Sequence, residues 1–115
     1  MRELAKSGAL TVFVADQPDP NGGGACHSYQ VRDRDGNIWL NLDFQKGPLK
    51  ENGANGVTDV LLAEILRDRL EHFQAGPFPS THSAWGLSGI NTYLESQKAR
   101  TADREQRGVE GVDKP

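Results

Sequence analysis

The sequence predicts an α+β chain: a small N-terminal antiparallel β-sheet followed by a two-helix hairpin, assembled as an oligomer. Three observations carry this. Apolar residues alternate with polar ones up to residue 44, then recur at helical spacing from residue 58 onward. They are also few: 25 of the 115 residues are Leu, Ile, Val or Phe, just above the ~20% level below which chains tend to stay disordered. A small domain so thinly cored often gains stability by association.

The elements follow in order. Residues 10–15 (LTVFVA) form a short apolar run rich in β-branched and aromatic residues. In 26–32, His27, Tyr29 and Val31 fall opposite Ser28 and Gln30. In 38–44, Ile38, Leu40, Leu42 and Phe44 share one face, against Trp39, Asn41 and Asp43. That period of two predicts a sheet with one buried side. Asp33-Arg34-Asp35-Gly36-Asn37 is a turn cluster, so the second and third strands form a hairpin. Residues 16–24, ending in three glycines, are a loop on composition. A second breaker-rich connection spans 45–56 (QKGPLKENGANG).

After it the period changes. Thr58 is a plausible N-cap with Asp59 in the first turn. Leu62, Ile65, Leu66 and Phe73 then recur at helical spacing, flanked by Leu61 and Leu70. Gly76 and Pro77 end this helix, Ser80 or Thr81 caps a second, and Gly108 stops that one. At ~1.5 Å per residue the helices are roughly 23 and 39 Å long, so the second overhangs by about three turns. That overhang needs another subunit. The expected organisation is one domain over 1–115: a β part and linker (1–56), a helical hairpin (57–108) and a flexible tail (109–115).

Several function classes are disfavoured. A net charge of −3 supplies no basic field for a nucleic-acid polymer. No apolar run approaches the ~20 residues of a membrane span, and no signal-peptide pattern is present. The single cysteine, Cys26, forms no internal disulfide. Cys26-His27 has no second pair at ligand spacing, so no metal site is expected. His27, His72 and His82 lie on different elements with no nucleophile near them in sequence, and no carboxylate pair is set up for proton transfer. No catalytic residue and no cofactor are therefore expected. Binding is the better expectation.

Two helical features suit a ligand. In the second helix, Leu87, Ile90 and Leu94 form the apolar stripe. Beside it run His82, Gly86, Gly89, Tyr93, Gln97, Arg100, Arg104 and Arg107. Each Gly costs about 1 kcal/mol against Ala, so two on one face suggest a close approach there. The three arginines form one cationic edge whose planar forks suit phosphate oxygens. The alternative is a solvated helix end in which Asp103 pairs with Arg107. On the first helix, Arg69 projects among Leu62, Ile65, Leu66 and Phe73, where it needs a partner or a ligand. A structural ion pair or a snorkelling stem is the competing account. Phe73 is either core or a stacking platform for a base. Gly22-Gly23-Gly24 is either a plain loop or a phosphate nest.

A resemblance is carried by Phe44-Gln45-Lys46-Gly47-Pro48-Leu49-Lys50-Glu51, Asn55-Gly56-Val57-Thr58, Leu62-Ala63, Asp68-Arg69-Leu70 and Phe73-Gln74-Ala75-Gly76-Pro77-Phe78. With Arg100, Thr101, Arg104 and Arg107-Gly108-Val109-Glu110-Gly111 downstream, the chain resembles the phage Thoeris anti-defence sponges of the first type. These share a helical-hairpin domain with the anti-CBASS sponges. The resemblance implies a small β-sheet packed on a helical hairpin, assembled as a dimer or hexamer in the host cytoplasm. It also implies sequestration without cleavage of cyclic ADP-ribose isomers made by TIR-domain immune proteins. Some members also hold cyclic di- or trinucleotides at a separate site. It places Phe73 where an aromatic stacks adenine, within a site also assigned Arg69, His82 and Ser83. Arg100 and Arg104, with Arg107 alongside, fall where arginines hold cyclic oligonucleotide phosphates. Thr81-His82-Ser83 departs from the frequent Arg-Glu-Asn, in which the Asn contacts ligand; Ser83 offers one donor in place of an amide. The competing account is a structural or regulatory phage protein that oligomerises and binds only protein.

Overall fold

The computed structural model describes residues 1–115. The fold is α+β: a four-stranded antiparallel sheet followed by two long helices that form a hairpin. The chain resolves into two compact units. One comprises Met1–Val57 with Gly111–Asp113, the other Thr58–Glu110 with Lys114–Pro115.

The sheet unit contains β1 (Arg2–Ser7), β2 (Leu10–Val14), β3 (Ser28–Arg32) and β4 (Ile38–Asp43), in the order β1-β2-β3-β4. Three strands fall where alternation predicts them. β1 is an addition, because Arg-Glu-Leu-Ala-Lys-Ser has neither β-branched residues nor alternation. It is recruited by a two-residue turn, Gly8-Ala9, that joins Ser7 to its partner Leu10. Gly8 has φ +60° and no other residue type in the chain has positive φ, the signature of a type II′ hairpin. A bulge between Glu3 and Ala5 and the charges of Arg2, Glu3 and Lys6 protect this edge from further pairing.

Cross-strand register builds one apolar face from Val14, Tyr29 and Leu42 in one row and Val12, Val31 and Leu40 in the next. Phe44 adds an edge-to-face contact on Tyr29, with ring centroids 5.6 Å apart. Val14 is buried, whereas Leu40 is about half exposed. The opposite face pairs Gln30 with Asn41 and Ser28 with Asp43. At the β3–β4 turn, Asp33 accepts hydrogen bonds from the main chain of Asp35 and Asn37, the Asn37 amide and the Trp39 indole. The Trp39 bond is the largest influence holding its carboxyl below the usual range.

The triple-glycine segment closes a single 3-10 turn, Pro20–Gly22, capped by Asp19 and ended by left-handed Gly23. The Gly22 and Gly24 amides both donate to the Asp19 carbonyl, so neither is offered to a phosphate. A Cβ on Gly22 would lie 2.6 Å from the His27 ring, which is buried. The Asp16 carboxylate receives the His27 and Ser28 N–H groups at 2.9 and 3.2 Å, and the His27 bond is the main reason its pKa falls.

The 45–56 connection is held by two side-chain amides. Gln45 donates to the carbonyls of Gly47 and Gly53 and accepts from Asn55 N–H. Asn55 in turn grips both main-chain groups of Lys46. A short helix, α1 (Leu49–Asn52), lies inside this connection, and Gly56 packs so tightly that a Cβ would sit 2.4 Å from the Phe44 carbonyl carbon.

The helical unit contains α2 (Asp59–Ala75) and α3 (Thr81–Gln106), capped by Thr58 and Ser80 as the sequence predicts. Gln74 clamps the turn between them: its amide donates to the Ser80 carbonyl and accepts from Ser80 N–H. The protected residues are Val60, Leu62, Ala63, Glu64, Arg67, Leu70 and Gln74 on α2, and Ser83, Leu87, Ile90, Tyr93, Leu94, Gln97 and Arg104 on α3. Steps of three and four within each set mark the side that one helix turns to the other. Of the stripe expected to pack, Leu62 is protected, whereas Ile65, Leu66 and Phe73 are 52–57% exposed. Small Ala63 is protected as well, with Arg67 paired to Glu64 nearby. No helix is long and apolar enough to cross a membrane.

Candidate ligand-binding site

α2 presents Phe73 in its last turns, half exposed. One turn earlier, Arg69 places its guanidinium carbon 5.4 Å from the Phe73 ring centroid. This cation–π contact, worth ~0.5–1 kcal/mol at an exposed position, is the partner that Arg69 lacked in sequence. No ion pair forms there.

α3 supplies the other half. Burial, and then the charge of Asp59, raise the Tyr93 phenol pKa. Gly86 precedes Tyr93 by about two turns and Gly89 by about one. Helical phase thus puts Gly86, Gly89 and Tyr93 on one side of α3, with exposed His82 one turn before Gly86. No other part of the chain comes within 4 Å of a Cβ built at Gly86 or Gly89. The two glycines leave bare, open backbone on α3. Ser83 stands apart, half-buried on the seam, with its N–H donated to the Ser80 hydroxyl.

The arginines divide. Arg100 is exposed and makes no hydrogen bond or ion pair. Arg104 is 6% exposed; its guanidinium donates to the carbonyls of Val109 and Lys114 and pairs with Glu110. Arg107 holds Asp103 at 3.0 Å and donates to the Pro115 carbonyl at 2.7 Å. The uniform cationic edge of the helical projection is therefore one open arginine followed by two engaged ones. The segment expected as a flexible tail supplies these acceptors. Helical projection omits it because the acceptors lie beyond the helix end.

Sequence reasoning also missed Gln45, Asn55 and Gln74, the amides that fix the two connections. Their signal is a Gln or Asn beside Gly-Pro or Asn-Gly breakers, where backbone groups need a side-chain partner. No group of three or more His, Cys, Asp or Glu residues converges.

No family model matches the chain. One curated protein does: Thoeris anti-defense 1 of Bacillus phage SBSphiJ7 is 38% identical over 90 residues, covering 78% of this chain and 63% of the phage protein. The chain thus spans somewhat less than two thirds of that relative's length, and the similarity expected from the linker and helix motifs is present. By that match, this chain is similar to Thoeris anti-defense 1 over most of its own length.

Proposed function

We propose that the protein is a phage anti-Thoeris sponge, which binds cyclic ADP-ribose isomers in the host cytoplasm and withholds them without cleaving them. The observation that carries this is the half-exposed Phe73 ring, backed by the Arg69 guanidinium. An exposed aromatic face stacks a base for ~1–3 kcal/mol. A guanidinium beside it suits a phosphate oxygen, and on α3 the missing Cβ atoms of Gly86 and Gly89 let a flat ring approach the helix. His82, exposed in the first turn of α3, is an additional polar contact, whereas half-buried Ser83 stands apart from it.

A sponge must outcompete a receptor at low signal concentration, which calls for a nanomolar Kd, about −12 kcal/mol. One open helical side does not enclose a ligand to that degree, so a second copy of the chain closes the site in a dimer or hexamer. Arg100, Arg104 and Arg107 form a separate site for cyclic di- or trinucleotide phosphates.

The test is to incubate the protein with a cyclic ADP-ribose isomer, remove free ligand, denature, and identify what is released. Intact ligand supports the sponge. A converted product makes the protein an enzyme. Nothing retained supports a chain that oligomerises and binds only protein.

A further inference from the structure

We propose that Val109 and Glu110, with Lys114 and Pro115, act as a strap over Arg104 and Arg107, which a phosphate ligand must displace to reach them. The proposal rests on the reading of these arginines as phosphate ligands and adds how access to them is controlled.

The strap is built by the end of α3. Gly108, at φ +71°, donates to the Glu105 carbonyl and Val109 N–H to the Arg104 carbonyl. This is a Schellman cap, which reverses the chain. The returning segment then sets oxygens around the Arg104 fork: Val109 O at 2.7 Å, Lys114 O on the other terminal nitrogen, and a Glu110 carboxylate oxygen 3.5 Å from Nε. Pro115 O takes one terminal nitrogen of Arg107. Carbonyls and a carboxylate thus occupy the N–H positions that phosphate oxygens would use.

The closure is incomplete at one atom. The Glu110 oxygen facing Arg104 is buried yet makes no hydrogen bond, and a partly satisfied polar network is a weak point. Replacing neutral carbonyls by an anion strengthens each bond to the guanidinium. One turn away, Arg100 is exposed and unengaged, placed to take first contact before the strap opens.

The test uses the full chain with inorganic pyrophosphate as probe, by calorimetry and hydrogen exchange. Gly108→Val places a β-branched residue at a left-handed φ and should release the strap. Glu110→Gln removes its charge without touching the cap and serves if the first variant folds poorly. Each should bind pyrophosphate at least fivefold more tightly than the unaltered chain, and adding Arg104→Ala should erase the gain. Pyrophosphate should also speed exchange at the Val109, Glu110 and Lys114 amides of the unaltered chain. Unchanged affinity in a variant whose strap exchanges freely would overturn the strap as a gate. Pyrophosphate binding that Arg104→Ala abolishes, with strap exchange unaltered, would do the same. If pyrophosphate binds no form even with the strap open, the phosphate reading of the arginines falls and takes the proposal with it.

Discussion

Phe73 illustrates how exposure changes what a mutation reports. A buried Phe truncated to Ala costs ~3–5 kcal/mol and can unfold a small protein. Phe73 is 53% exposed, so Phe73→Ala should leave the helical pair folded by circular dichroism. It should weaken binding of a cyclic ADP-ribose isomer roughly tenfold to a hundredfold, the loss of one stacked base. Unchanged affinity in calorimetry would remove Phe73 from the site. Two carboxylates make the sheet unit sensitive to acid. Asp16 and Asp33 both titrate below the ordinary carboxylate value because N–H donors favour their charged forms. A depressed folded-state pKa contributes stability that is complete above the unfolded value and lost as pH falls through the folded one. Stability to urea should therefore drop below about pH 4, and Asp33→Asn should flatten part of that drop. His72 works in the opposite direction. The Asp68 carbonyl, then its carboxylate, raise its pKa, so its contribution is complete below the ordinary histidine value and lost as pH rises through the raised one.

At the scale of elements, what was legible in the sequence is what depends on local pattern. The β2–β4 alternation, the Thr58 and Ser80 caps and the Gly108 stop all read correctly, because each is set by residues within one turn or one strand. β1 was not legible, since an edge strand packs little and its residues need not alternate. The seam of the helical pair was legible only in part. Leu62 and Leu70 on α2 and Leu87, Ile90 and Leu94 on α3 are protected as expected, but Ile65, Leu66 and Phe73 are exposed while Val60, Ala63, Arg67 and Gln74 are protected. Apolarity alone does not identify which apolar stripe a helix buries. For the candidate site, the helical pattern of α2 drew attention to Arg69 and Phe73, and the cation–π contact brings the two together, while the acceptors around Arg104 come from after α3 and leave no periodic trace. The 45–56 connection offers an element-scale prediction. Gly56→Ala would push a methyl against the Phe44 carbonyl, where backbone has no rotamer through which to yield. Overpacking of this kind costs ~1–3 kcal/mol, so the midpoint of urea unfolding should fall clearly, whereas Gly89→Ala, facing open space, should not lower it.

The whole molecule carries more apolar surface than its two units cover. Val14 is the buried apolar residue of the sheet unit and Leu94 that of the helical unit. Meanwhile Leu61, Ile65, Leu66 and Phe73 line α2 at 52–57% exposure. Fully burying such a side chain is worth ~1.5–3 kcal/mol, so covering these half-exposed ones contributes about 3–6 kcal/mol per chain. A twofold interface uses the same patch on both partners and doubles that figure. The result is comparable with the ~4–15 kcal/mol lost on association, so this stripe alone supports modest affinity and the rest must come from other surfaces. The protein should sediment at micromolar concentration as a multiple of its 12.6 kDa chain. Ile65→Asp with Leu66→Asp should shift it toward the single-chain mass while helical content stays unchanged, because neither side chain lies on the helical seam. The same double substitution should weaken ligand retention if a second copy closes the site beside Phe73. A clean 12.6 kDa species for the unaltered chain would leave the α2 stripe without a partner copy. Retention undiminished in a monomeric double variant would place the whole ligand on one hairpin.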